Sequence, residues 1–472
     1  MLKNHIINIL TEQLGHRPTE SQQQMIDLLP GFLSGANSKN IFLVKGFAGT
    51  GKTSILGALV RTMQIFKNNV VLLAPTGRAA KVLASYCGYP ASTIHKKIYR
   101  QRSSADGTGS FVMDRNMHKD TLFIVDEASM ISNQSSESDV FGSGRLLDDL
   151  IVYIDNGKNC RLVLVGDTAQ LPPVGIDISP ALDAGYLSGF GYDVTEVFLS
   201  DILRQAEDSG ILFNATGIRY EVESEGNNIP RIVTAGYNDI ERVSGSDLIE
   251  KITESYDKHG IEETIVITRS NKRANQFNKG IRDRILYRDE ELAAGDLLMV
   301  VRNNYFWMPE NEMADFIANG DIIEVIRVRR YEEMYGFRFA DALVRFTDYK
   351  DTEIEVKLML DTITSETAAL TQEQGKKLFQ SVAGDYSAIT NKRKRFEQIR
   401  ENHWFNALQV KFAYSVTCHK AQGGQWKNVF VDQGYITDEM INTEYLRWLY
   451  TAFTRPTTRL FLVNFSDRFF DQ

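Results

Sequence analysis

The chain has 472 residues, of which 43% are hydrophobic and 24% charged, with a formal net charge of −8. This length exceeds one ordinary core and predicts about two to four domains, and the composition excludes a disordered or fibrous chain. The acidic balance excludes indiscriminate coating of nucleic acid but is compatible with a locally basic channel. No apolar run is long enough to span a bilayer, and Met1-Leu2-Lys3-Asn4-His5 leads into no apolar leader core, so no membrane partner is expected. Cys87, Cys160 and Cys418 lie far apart and form no pair with metal-ligand spacing. That pattern predicts a reducing, cytoplasmic setting without disulfides or zinc.

Residues 1–36 read as helical. Continuous apolar runs then follow at 41–44, 70–73, 122–125 and 162–165, the pattern of parallel strands buried on both faces. A second set lies at 265–267, 429–431 and 460–463. The expected fold class is α/β, with two doubly wound units: 37–200, and 201–284 joined to 401–472. The insertion between the halves of the second unit, 285–400, changes character. Its runs at 297–301, 322–328, 342–346 and 353–358 alternate apolar and polar residues, as a small half-exposed β-domain does. It then passes into the basic run Asn391-Lys392-Arg393-Lys394-Arg395. A polar segment, 96–120, interrupts the first unit.

The first apolar run leads into Gly46-Phe47-Ala48-Gly49-Thr50-Gly51-Lys52-Thr53 and then a helix-compatible stretch. Strand, glycine-rich turn and helix is the context of a phosphate-binding loop. Its backbone N–H groups wrap phosphate oxygens, Lys52 reaches the outer phosphates, and the Thr53 hydroxyl completes a Mg²⁺ shell. ATP and Mg²⁺ are the cofactors this predicts. Asp126 and Glu127 end the third run, where the first can hold the metal through water and the second can polarise the attacking water. Gln170, after the fourth run, is placed to sense a γ-phosphate. Arg204 and Arg455 are the arginines available to meet the transferring phosphate, although an isolated arginine is more often a surface ion-pair partner.

In order along the chain, GFAGTGKT, LLAPTGRAAKVL, STIHKKI, FIVDEAS, LVGDTAQLPPVG, ILRQAEDSG, VITRSNKRAN, YSVTCHKAQGGQW and LYTAFTRPTTRLFLV resemble superfamily 1 helicases of the RecD/Dda-like, 5′-to-3′ branch. The resemblance implies two RecA-like P-loop motor domains with ATP between them, Arg204 and Arg455 acting in trans, and Gln22 reading adenine. It implies strand contacts at Thr76, Gly77 and Arg78, at Thr93 and His95, and at Thr417, His419 and Lys420. Hydroxyls, amides and basic groups suit phosphate contact, and His95, Tyr99, Phe306 and Trp307 are flat partners for unpaired bases. Segment 96–120 would be a strand-separating element and 285–400 an SH3-like domain. Partners would be single-stranded DNA and duplex junctions, with the monomer sufficient. Gln425 stands where relatives often carry an acid, which puts a ribose contact there in doubt. The residues leave open an ATP-gated remodeller that strips proteins without unwinding, and an RNA-directed helicase.

Overall fold

The structure is a computed structural model that describes residues 2–35, 39–102, 110–134, 142–201, 208–224, 229–308, 316–347 and 352–470. At the N-terminus the helices Leu2–Leu14 and Glu20–Ser34 contribute Leu10, Met25, Ile26 and Leu29, all fully buried, to a core that includes residues of the helix Lys52–Ile65. The first α/β unit contains β1 (Asn40–Gly46), β2 (Asn69–Ala74), β3 (Ala91–Thr93), β4 (Tyr99–Arg102), β5 (Ser110–Met113), β6 (Thr121–Val125), β7 (Arg161–Gly166) and β8 (Asp193–Leu199). Six of these form one sheet in the order β3-β2-β6-β7-β1-β8, with every pairing parallel. Every residue of β6 and β7 is buried, because helices cover both faces of a parallel sheet. This brings the C-terminal ends of β1, β6 and β7 side by side.

The remaining two strands pair antiparallel as a hairpin, Tyr99 opposite Met113. This hairpin is the stem of the polar segment read at 96–120. Phe111 on it packs against Tyr305, with ring centroids 4.0 Å apart.

The second α/β unit begins with β9 (Ile240–Val243) and β10 (Thr264–Thr268). The chain then leaves it for β11 (Leu297–Val300), β12 (Ile322–Met334), β13 (Phe337–Phe346), β14 (Glu353–Met359) and β15 (Leu408–Phe412), which form a closed barrel. The barrel's last strand corrects the expected boundary at 400. Leu408–Phe412 pairs with β11 and β14, so the inserted unit runs to about Phe412 rather than handing 401–412 to the motor. Its apolar run continues almost directly into β16 (Ser415–Thr417), which is why sequence patterning assigned both to one unit. Helices Gln372–Asp385 and Lys392–Arg400 pack Leu378, Val382 and Ile399 over Phe339 and Met359 at one end of the barrel. The basic run forms the first turn of the second helix, capped by Asn391, with Arg393 paired to Glu397 and Arg395 donating to Ala383 O.

After the barrel, β16, β17 (Trp426–Asp432) and β18 (Pro456–Val463) complete a parallel sheet in the order β16-β10-β17-β18-β9. The barrel is tied to this sheet through Asp296, which is fully buried. Its carboxylate accepts from Arg282 Nε at 3.1 Å and Nη2 at 3.0 Å, from Arg288 Nη1 at 2.9 Å and from the Tyr414 hydroxyl at 2.8 Å. A buried carboxylate is tolerated only when it is compensated this fully. Among the described residues no helix is long and apolar enough to cross a membrane.

Candidate functional site

The glycine-rich turn leaves β1 and enters the helix Lys52–Ile65. Gly49 has φ +77°, and a Cβ there would stand 2.6 Å from Leu212 of the helix Gly210–Glu223, so the position needs glycine for both conformation and space. Lys52 Nζ donates to the carbonyls of Gly46 at 2.9 Å and Phe47 at 2.8 Å, and lies 3.7 Å from Asp167. Thr50 Oγ1 donates to Phe47 O at 2.8 Å. The loop's own oxygens therefore hold the groups that a phosphate needs. Gly46, Ala48, Gly51 and Thr53 complete the turn, Thr53 lying in the first turn of the helix, half-buried.

Asp126 and Glu127 follow β6, facing this loop. Burial, then the neighbouring Glu127 charge, pushes the Asp126 carboxyl upward, opposed by the Glu127 N–H and by Lys52. A carboxylate destabilised in this way is a fitting metal ligand, since a cation removes the penalty. Glu127 has φ +54° and ψ +37°, a left-handed conformation that costs a non-glycine residue about 1–3 kcal/mol and gathers at functional sites. Gln170 is 6% exposed, and its Oε1 is buried with no hydrogen-bond partner. Buried polar atoms are rarely left so, and this one suits a water or phosphate near the loop. Among the described residues no cluster of three or more His, Cys, Asp or Glu could hold a metal.

Arg455 comes from the second unit and is 3% exposed. It donates to Thr451 O at 3.1 Å and Gly424 O at 3.4 Å, and its Nη1 stands 3.9 Å from Glu127 Oε1. Arg204 lies outside the described residues. Gln22 is fully buried at the third position of its helix. Its Oε1 accepts from Thr19 N–H in a capping box, and its Nε2 donates to Thr50 O at 2.9 Å. In this conformation it braces the P-loop through the Thr50 carbonyl. The capping alternative is present in full.

The strand-contact residues divide. Thr76 and Thr93 are N-caps, accepting from Ala79 N–H at 3.2 Å and Lys96 N–H at 3.1 Å, with Gly77 opening the helix behind Thr76. Arg78 bridges the two units: its guanidinium lies 4.0 Å over the Trp426 ring and donates to Gln425 O at 3.3 Å. Gly423, whose Cβ would meet that of Ala79 at 2.7 Å, allows the approach. Gln425 Oε1 accepts from the Tyr86 hydroxyl at 3.0 Å, a protein partner in place of a ribose. Thr417 precedes the short helix Cys418–Ala421, on which His419 is exposed. Lys420 donates to Asn319 Oδ1 of the barrel at 2.7 Å, and burial pushes its ammonium down to about 8.

Of the stacking candidates, Tyr99 is core: it is buried and donates to Asp149 at 2.7 Å. His95 is half-buried, with its ring centroid 5.9 Å from that of Tyr99. Phe306 and Trp307 are half-buried on the barrel and form an edge-on trio with His403, 4.9–5.2 Å between centroids. Sequence reading missed His403, which lies about a hundred positions away. It also missed the polar contacts that join the units beside the cleft. Gln422 Nε2 donates to Leu171 O at 2.7 Å, Leu171 N–H to Thr451 Oγ1 at 2.8 Å, and Ala48 N–H to Tyr450 Oη at 2.8 Å.

Two parallel α/β units facing each other across a P-loop define a two-motor NTPase. Residues 22–211 match the AAA domain model, and 412–463 the UvrD-like helicase C-terminal domain. The chain is 24% identical to an uncharacterized protein of Acanthamoeba polyphaga mimivirus, over 90% of this chain and 95% of that one. It is 30% identical over 205 residues to the ATP-dependent RecD2 DNA helicase of Deinococcus radiodurans, spanning 42% of this chain and 24% of that longer protein. A solved structure of Pif1 helicase on forked DNA aligns with a TM-score of 0.48 and 16% identity, over 97% of this chain and 95% of that one. The chain thus pairs an AAA-domain match in its first unit with a UvrD-like helicase C-terminal match in its second, and it is similar to superfamily 1 helicases of the RecD/Dda-like branch.

Proposed function

We propose that the enzyme moves 5′-to-3′ on single-stranded DNA as a monomer inside the cell, opening duplex junctions with ATP hydrolysed between its two motors. The observation that supports hydrolysis between the motors is the 3.9 Å approach of Arg455 to Glu127 across the cleft, a second-motor cation beside the acid we take as catalytic; the direction rests on the resemblance. Lys52 exchanges its carbonyl partners for the outer phosphates of ATP. Glu127 takes the proton of the attacking water, which Gln170 orients, and Arg455 compensates charge on the transferring group. Mg²⁺, when bound, would be held by Thr53 and by Asp126 through water and would neutralise phosphate charge. Arg204, on the resemblance, supplies a further cation.

Strand contact is assigned to Thr76, Gly77, Thr93, His95, Thr417, His419 and Lys420, with Arg78 joining them once the motors separate. Phe306 and Trp307 offer stacking faces on the barrel, which we read as the SH3-like domain closing over the strand. The test is unwinding of tailed duplexes with DNA or RNA strands. The expected result is unwinding from a 5′ DNA tail. Equal unwinding from a 3′ tail would contradict the direction, and stripping of bound protein without strand separation would favour the remodeller.

A further inference from the structure

The end of the helix Thr443–Phe453 meets the first motor at several closely spaced points. Tyr450 is 1% exposed. Its hydroxyl accepts from Ala48 N–H at 2.8 Å and donates to Asp167 Oδ2 at 2.8 Å. Asp167 is as deeply buried, accepts from Ala169 N–H through Oδ1 at 2.9 Å, and lies 3.7 Å from Lys52. Thr451 accepts from Leu171 N–H, and Arg455, just past the helix end, stands by Glu127. One phenol thus closes a polar chain from Lys52 through Asp167 and Tyr450 to Ala48, spanning both motors.

Ala48 N–H belongs to the loop whose amides wrap phosphate. A phosphate oxygen is a stronger acceptor than a neutral phenol, so a nucleotide that needs this amide displaces Tyr450. We propose that Tyr450 is a nucleotide-displaced latch. In the ATP-free enzyme its hydroxyl stands in for a phosphate oxygen at Ala48 and holds the helix Thr443–Phe453 so that Arg455 is parked on Glu127. When ATP takes the amide, the helix is released to carry Arg455 to the γ-phosphate. Tyr450 is then a positioning residue, acting through Arg455. The inference rests on the P-loop reading of Ala48 and Lys52.

Each ATP that binds has to break the latch, so removing it tightens binding. Y450F keeps the buried ring and loses only the oxygen. Its Kd for a non-hydrolysable ATP analogue, measured by calorimetry, should fall threefold or more, while base pairs unwound per ATP fall at least twofold. A merely structural hydroxyl predicts unchanged or weaker binding, and either result in a folded Y450F overturns the latch. If Y450F does not fold, hydrogen exchange of the wild-type chain decides. The analogue should slow exchange at 48–53 and speed it at 451–455, and slowing in both overturns the proposal. A wild-type chain that binds no analogue would instead remove the P-loop reading beneath it.

Discussion

Lys52 and Glu127 sit on either side of the same cleft with different work, and substitution separates them. K52A removes the ammonium that the loop carbonyls now hold, and ATP turnover should fall at least a hundredfold. E127Q preserves shape but not basicity, so Mg·ATP binding should persist while hydrolysis is lost. Normal turnover in E127Q would move the water-activating role elsewhere. Lys420 carries a pH signature. Its ammonium is held near 8 by burial against an ordinary value of 10.5, and a phosphate contact favours the charged form. Above about pH 8, strand binding must therefore take up a proton. Affinity for single-stranded DNA should fall from pH 8 to 9.5 by several-fold in the wild type and much less in K420R, since arginine stays protonated. Parallel pH profiles would show that Lys420 does not touch the strand.

At the scale of elements, legibility followed burial. The runs inside β1, β2, β6, β7, β10, β17 and β18 are continuously apolar, and sequence reading found each of them. The edge strands β3, β8, β9 and β16 escaped it. They are three to seven residues long and need only one covered side, so no long apolar signal exists. The P-loop and the strand-end acids could be proposed from the sequence because their chemistry demands fixed residue types at fixed spacing, whereas Arg455 was singled out only by the resemblance. Tyr450 and Asp167 were not, because a tyrosine on an apolar helix reads as core until its hydroxyl partners are seen 283 and 402 positions away. The partners of Arg78 were hidden for a related reason: a motif position says nothing of a side chain's contacts.

The hairpin β4–β5 belongs at this scale too. Its stem is braced by Phe111 on Tyr305, and opening a base-pair step costs on the order of 1–2 kcal/mol, so a rigid stem is useful at a junction. Replacing residues 102–119 with a short Gly-Ser linker should spare DNA-stimulated ATPase and cripple unwinding. Unwinding at the wild-type rate per ATP would leave the hairpin as a surface loop.

At the scale of the whole molecule, an acidic chain that binds an acidic polymer relies on local positive charge. ATPase stimulation by single-stranded DNA should therefore weaken steeply with salt as contacts release counterions. The motors are joined beside the nucleotide cleft by Gln422, Tyr450 and Thr451 and beyond it by the Arg78–Trp426 contact, so hydrolysis and relative motor position share the same atoms. The central claim is that the active site is completed from the second motor. Single-turnover ATP cleavage by R455A, with saturating single-stranded DNA, tests it most directly. An arginine acting on the transferring phosphate is worth about 10³–10⁵ in rate, so cleavage should fall by about a thousandfold or more while analogue binding stays near wild type. Cleavage within tenfold of wild type in a folded R455A would contradict it.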